Sequence, residues 1–227
     1  MRFSIIIPTW EQYGFGKTYL SELLETIKKQ TFKNFEVVIS DQSVDNEIEK
    51  LTSEYSDLTI KYSKNEYRRG NSPANTNNAI KMANGEIIKI MFQDDLFYDN
   101  SCLETIHNKF NTDSCKWVVN GCNHTNDGKT FSRNMIPFWN DNILFGNNTI
   151  SCPSVLSIKK ENVEHFDENL VMLMDCEYYY RLYKMYGNPC IIPKTLTSNR
   201  EHKNQISQRY DKNINDEISY VKNKYKL

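Results

Sequence analysis

The stretch IKIMFQDDLFYD, residues 88–99, sets two adjacent carboxylates, Asp94 and Asp95, at the end of an apolar run and follows them with more apolar residues. Neighbouring negative charges repel, and a bound cation relieves that repulsion. Mg2+ and Mn2+ prefer oxygen ligands and are commonly held by one or two carboxylates, with phosphate oxygens and water completing the shell. A turn or a helix cap accounts for the same pair equally well. A further acid, Asp41, lies in VISDQSVDN, with Asp45 four residues on. A carboxylate there can accept a hydrogen bond from a base N–H or a ribose hydroxyl, or it can close an Asx turn. In LMDCEYYYRL, Asp175 and Glu177 stand two residues apart. On a helix that is about 200° around the axis, so at most one of them serves a single centre. Asp175 falls in the expected first turn, where the helix dipole favours its ionised form, and it suits a general base toward a hydroxyl. An N-terminal acid that merely satisfies the dipole is the plainer alternative. SNREHKNQIS gathers Arg200, His202, Lys203, Gln205 and Ser207. These donors suit a diphosphate, and His202 can equally ligate a metal, although a solvated loop explains the stretch nearly as well.

The elements that must position these groups follow from periodicity. Ser4–Ile7 is a short apolar run stopped by Pro8, the pattern of a buried strand. Over Lys17–Gln30, Leu20, Leu23, Leu24 and Ile27 fall on one helical face. FEVVIS predicts a second strand, DNEIEKLTSEYS a second helix and LTIKYS a third strand. SPANTNNAIKMANGE predicts a third helix with a stop at Gly85, and IIKIMF the next strand. This βαβαβαβ order predicts a mainly parallel sheet with helices on its faces, and such sheets bind ligands beyond the carboxyl ends of their strands. Asp41, Asp94 and Asp95 would lie at that edge. Beyond residue 100 the alternation weakens. Ser101 with Glu104 predicts a capping box opening a helix to about Phe110. KWVVNGC and SVLSIKK read as strands, and Asp175–Tyr186 as a helix ended by Gly187-Asn188-Pro189. Residues 123–149 read as a polar loop studded with aromatics, and the tail after Ile206 as one exposed helix.

The 227 residues carry a formal net charge of −1, which speaks against a globally basic nucleic-acid binder. Hydrophobic residues make up 39%, enough for a substantial core. No apolar run approaches the roughly 18 residues needed to span a bilayer, and the N-terminus lacks the pattern of a signal peptide. The six cysteines, Cys102, Cys115, Cys122, Cys152, Cys176 and Cys190, show no zinc spacing. They are expected to be reduced thiols of a cytoplasmic protein.

In order along the chain, SIIIPTW, TIKKQTFKNFEVVISDQSVDN, AIKMANGEIIKIMFQDD and FDENLVMLMDCEYYYRLYKMYG resemble family 2 of the nucleotide-sugar glycosyltransferases. The resemblance runs from Ser4 to about Ser207. It implies the GT-A fold, a Rossmann-like α/β fold with a mixed, mainly parallel central sheet flanked by helices. It also implies a nucleotide diphosphate-sugar donor of UDP or dTDP type, a divalent cation (Mn2+ or Mg2+) and inversion at the anomeric carbon. Carried over by position, Pro8, Thr9 and Trp10 would line the nucleotide pocket and Asp41 would contact the base. Arg69, Asn77, Gln93, Asp94 and Arg200 would complete the nucleotide-sugar site. Asp94, Asp95 and His202 would hold the metal, and Asp175 would be the catalytic base. The chain departs from the family pattern where Ser40-Asp41-Gln42-Ser43 keeps only the second acid of the usual Asp-Asp-Gly-Ser, and where Phe92 takes the place of a first carboxylate. Met174 also replaces a frequent glutamate, and Asn75 or Thr76 stands for a usual arginine.

The resulting expectation is a single domain. Residues 1–99 would form its nucleotide-sugar half, 100–205 its acceptor and catalytic half, and 206–227 a helical tail. Its acceptor would be a saccharide or glycan, lipid-linked or free, with the aromatics Phe131, Phe138, Trp139, Phe145 and Tyr178–Tyr180 as candidate stacking faces or core. A homodimer is compatible with this reading. A nucleotidyltransferase, which would need a triphosphate loop that TWEQYGFGK represents poorly, and a catalytically silent carbohydrate-binding module are the alternatives.

Overall fold

A computed structural model describes residues 1–205 and 214–227. The first half is the expected alternation: β1 (Phe3–Thr9), α1 (Gly16–Lys28), β2 (Phe35–Asp41), α2 (Glu47–Ser53), β3 (Ile60–Lys64), α3 (Ser72–Met82) and β4 (Ile87–Ile90). The second half adds β5 (Leu96–Phe97), α4 (Cys102–Thr112), β6 (Trp117–Thr125), β7 (Ser132–Met135), β8 (Leu156–Lys159), α5 (Met174–Tyr186), β9 (Cys190–Arg200) and α6 (Ile214–Tyr225). One sheet runs through both halves in the order β3-β2-β1-β4-β8-β6-β9-β5, with β7 attached to β6. β1, β2, β3 and β4 pair in parallel, as do β6 and β9, while β8 is antiparallel to both β4 and β6.

Strand alternation divides the core between the two faces of the sheet. Ile5, Ile7, Val37 and Ile39 point to the face covered by α1 and α4, and Ile6, Val38 and Ile90 to the face covered by α3 and α5. On α1, Leu20, Leu23, Leu24 and Ile27 are fully buried, each contributing about 1.5–3 kcal/mol relative to exposure. α3 stops at Met82, with Ala83 already extended, before the predicted glycine. Gly85 serves the sheet instead, because a Cβ there would sit 2.4 Å from backbone atoms of Phe3 and Ser4.

Four expectations for the second half are corrected. The Ser101/Glu104 capping box does not form: Asp99 accepts from the Ser101 N–H and hydroxyl, while Glu104 accepts from the Thr31 hydroxyl. Cys115 and Cys190 form a disulfide with Cα atoms 5.9 Å apart, so not all six thiols are free. They meet because β6 and β9 are parallel neighbours in register Val118↔Cys190, a juxtaposition across 75 residues that spacing cannot reveal. The stretch read as a polar loop contains β7 and half of a hairpin with β6. The tail helix, finally, is not simply exposed, since Glu217 and Val221 on α6 are buried. Ser207 and the rest of 206–213 lie outside the described residues. No helix among the described residues is long and apolar enough to cross a membrane.

Candidate functional site

The Asp94–Asp95 turn begins where β4 ends. Lys89, fully buried on β4, donates to the Ser154 carbonyl, and the Ser154 hydroxyl accepts from the Phe92 N–H at 2.8 Å. Burial pushes the Lys89 ammonium down to about 8. Asp95 N–H donates to the Phe92 carbonyl, closing the turn. Gln93, also buried, clasps Trp10 at both backbone groups: its Oε1 accepts from Trp10 N–H at 2.8 Å and its Nε2 donates to Trp10 O at 3.0 Å. The same Nε2 donates to Gln12 Oε1 at 2.6 Å.

Gln12 lies in a 3-10 turn with φ +45°, followed by Tyr13 at +55°. Non-glycine residues held there carry about 1–3 kcal/mol of backbone strain each, which persists where surrounding contacts enforce it. Here those contacts are Gln93 on one side and Asp94 and His202 on the other, the Gln12 amide lying 3.4 Å and 3.1 Å from them. Gly16, at the start of α1, packs under this turn, and a Cβ there would fall 2.1 Å from the Trp10 carbonyl oxygen. Gly16→Ala is therefore expected to lower stability by about 1–3 kcal/mol, read by thermal melts.

A cavity of about 570 Å3 opens at this edge. Its lining includes Pro8, Trp10, Gln12, Asn75, Gln93, Asp94, Cys152 and Asp175, so it joins residues of the first half to the acid of α5. Asp94 and His202 converge: the carboxylate Oδ2 and the imidazole Nε2 are 2.9 Å apart, with side chains 16% and 10% exposed. Two cis ligands of an octahedral ion with bonds of about 2.1 Å stand about 3.0 Å apart, so this O/N pair fits a small divalent cation. Asn204 N–H donates to His202 Nδ1, holding the ring with Nε2 toward Asp94.

Asp95 does not join this pair. It is 4% exposed, its Oδ1 accepts from Arg200 N–H at 2.9 Å and its Oδ2 from the Cys152 thiol at 3.3 Å. Burial and the Asp94 charge push its carboxyl up to about 7. Its role is to tie the turn to β9. Arg200 is equally occupied: its guanidinium donates to the Asp94 carbonyl, pairs with Glu22 and lies 4.7 Å over the Tyr19 ring. Asp41 has no exposed surface, and its carboxylate takes donors from Ser43, Thr9, Tyr62 and Lys64. It orders the end of β2 rather than facing the cavity. Thr9 is buried behind it, Asn77 holds Phe166 and Glu168, and Arg69 pairs with Glu66 on the surface. None of these four lines the cavity; Asn75 does, with its amide on the Thr9 carbonyl.

Asp175 lies in the first turn of α5 and Glu177 points away from it, as their spacing requires. Cys176 N–H donates to Asp175 Oδ1 at 2.7 Å and Asn148 Nδ2 to Oδ2 at 2.8 Å. Burial outweighs these bonds and raises the carboxyl to about 6. Asn148 is itself fixed by Ile150 and Ser151 N–H on its Oδ1. Of the aromatics proposed for an acceptor, Tyr178 and Tyr179 are core and Trp139 stacks on Tyr183 at 3.9 Å. Trp10, Tyr13 and Phe92 line the cavity in their place. Sequence reasoning missed Gln12, Asn148 and Cys152. Only Asn148 carries a signal, a Gly-Asn-Asn turn ahead of a strand.

Residues 4–176 match the family described as Glycosyl transferase family 2. Over 98 residues the chain is 33% identical to the poly(ribitol-phosphate) beta-N-acetylglucosaminyltransferase TarS of Staphylococcus aureus, covering 42% of this chain and 16% of that protein. Over 97 residues it is 31% identical to the UDP-Glc:alpha-D-GlcNAc-diphosphoundecaprenol beta-1,3-glucosyltransferase WfgD of Escherichia coli, covering 43% and 36%. The matched segment is thus well under half the length of these curated relatives. Among solved structures, S. aureus TarS 1-349 in complex with UDP-GlcNAc superposes with TM-score 0.72 at 21% identity, over 89% of this chain and 59% of that one. A mannosyltransferase from Pyrobaculum calidifontis, in complex with GDP-Man and Mn2+, superposes with TM-score 0.66 at 18% identity, over 89% and 57%. These likenesses establish the GT-A fold, and with the family match over most of its length the chain belongs to glycosyl transferase family 2.

Proposed function

We propose that the protein transfers a sugar from a nucleoside diphosphate-sugar, of uridine or thymidine type, to an acceptor hydroxyl with inversion, and that it needs a divalent cation to do so. The observation that carries this reading is the charge of the cavity. Its described lining contains two carboxylates, Asp94 and Asp175, and no lysine or arginine. A diphosphate entering such a wall meets like charge unless a cation comes with it. Asp94 and His202 would hold that cation, which when bound would neutralise charge building on the departing diphosphate. The TarS and WfgD names, both acting with N-acetylglucosamine- or glucose-type sugars, support a hexose donor and a glycan or lipid-linked acceptor.

In this reading Asp175 accepts the proton of the acceptor hydroxyl while that hydroxyl's oxygen forms a bond to the anomeric carbon and the bond from that carbon to the diphosphate breaks. Asn148 and the Cys176 N–H fix the carboxylate, and its raised pKa leaves it basic enough near neutrality to take a proton. Trp10, aligned by Gln93, offers a flat face for the donor.

Thermal melts with a panel of nucleotide-sugars test the proposal. A donor at about 100 times its Kd is expected to add about 2.7 kcal/mol, a rise in Tm on the order of 5 °C or more for a chain of this size, and only with Mn2+ or Mg2+ present. Stabilisation by nucleoside triphosphates and none by nucleotide-sugars would overturn it in favour of a nucleotidyltransferase.

A further inference from the structure

We propose that Glu217, on α6 and outside the matched family segment, is the positioning residue that sets the cavity wall carrying Asp175. The inference rests on the reading of Asp175 as the base. The N–H groups at the start of a helix have no intrahelical partner, and Leu173, which precedes α5, provides no side-chain cap. The two oxygens of Glu217 instead hold the segment that leads into α5, from Val171 to the N-cap residue Leu173. Oε1 accepts from Val171 N–H at 3.0 Å and Met172 N–H at 3.3 Å, and Oε2 from Met172 N–H at 3.0 Å and Leu173 N–H at 2.8 Å. Glu217 is 6% exposed. A carboxylate that receives several N–H groups at a helix N-terminus is held strongly, by charge-assisted bonds and by the helix dipole.

The clasped segment is functional surface. Val171, Met172, Met174 and Asp175 all line the cavity, while Glu217 does not. Glu217 therefore touches the back of the wall whose front faces the substrate. α6 grips α5 a second time one face-length further on. Lys224 Nζ and Tyr225 Oη donate to Glu177 at 2.8 Å and 2.6 Å, and Val221, between the two grips, is fully buried. Glu217, Val221 and Lys224 share one helical face, so the face of α6 that packs on the core also carries both grips, of which only that of Glu217 reaches the cavity wall. The acid that cannot reach the cavity, Glu177, is the one used for anchoring.

Three variants separate positioning from general stability, all assayed well below their melting temperatures. Glu217→Ala is expected to lower kcat about 100-fold, the effect of misplacing a reacting group by about 1 Å, with donor KM within about twofold. Amide hydrogen exchange at Val171, Met172 and Leu173 should accelerate at least tenfold. Glu217→Gln, which keeps the shape but one acceptor oxygen, should recover part of both. Val221→Ala should lower Tm yet leave kcat and those three amides within about twofold. Unchanged exchange at 171–173 in Glu217→Ala overturns the proposal, as does a kcat loss that Val221→Ala reproduces at equal loss of Tm. If Asp175→Asn retains turnover, the base assignment fails instead, and the exchange measurement still decides whether Glu217 holds the wall.

Discussion

Asp175→Asn is expected to cut turnover by about 10²–10⁴-fold, the range a positioned general base contributes, while donor affinity stays within about twofold. Asparagine keeps the volume and the acceptor for the Cys176 N–H, but its own amide would face the amide of Asn148, which now donates to Asp175. The base must be ionised to act, so wild-type turnover should rise with pH and level off above about 6, the value to which burial lifts this carboxyl. The sign for stability is opposite. The folded-state pKa lies above the ordinary aspartate value of 3.8, so the stability this group contributes is fully present below that value and is lost as pH rises to about 6. The difference in Tm between wild type and Asp175→Asn should therefore shrink or reverse between pH 4 and pH 7. Retained turnover in the variant, or a flat acid limb in the wild type, removes Asp175 from the role.

Loss of the cation site should be nearly as severe. Chelation with EDTA, or Asp94→Ala, is expected to lower kcat by about 10²–10³-fold, the scale for losing one preorganised group that stabilises developing charge. Mn2+ should restore the chelated enzyme and not the variant. Direct titration of Mn2+ provides a readout independent of turnover: binding should weaken in Asp94→Ala and in His202→Ala. Asp95→Asn should leave Mn2+ affinity largely unchanged, since its oxygens are committed to Arg200 N–H and the Cys152 thiol. Equal weakening in all three would restore Asp95 as a ligand, and full activity in EDTA would dismiss the metal.

The first half of the fold was legible because each strand of its parallel region is a short apolar run and each helix shows one apolar face. The second half was not, chiefly because of β9. CIIPKTLTSNR, which carries Pro193 and lacks alternation, offers no strand signal, and no element is predicted there. The structure accommodates the proline where the register with β6 shifts, Asn120 pairing with Ile192 and Gly121 with Thr195. The site shows the same division. Asp94, His202 and Asp175 announce themselves by residue type, and two of them meet at 2.9 Å. Asp41 and Asp95 carry the same signal but face inward, because burial among donors is decided by neighbours distant in sequence. Gln12 has no signal at all, being held only by Gln93, Asp94 and His202.

The pairing of β5 with β9 has a consequence for synthesis. Leu96 pairs with Ser198 and Phe97 with Thr197, and Arg200 N–H then fixes Asp95. A chain made from its N-terminus can assemble β1 to β4 early, since those contacts are comparatively local. The aspartate turn at their edge, already clasped to Trp10 by Gln93, lacks its tie to β9 until residue 200 has emerged. A ribosome-bound fragment ending before β9 would thus be folded in its first half and blind to donor. Emergence of β9, and not folding of the first half, would be the moment at which the site becomes able to bind.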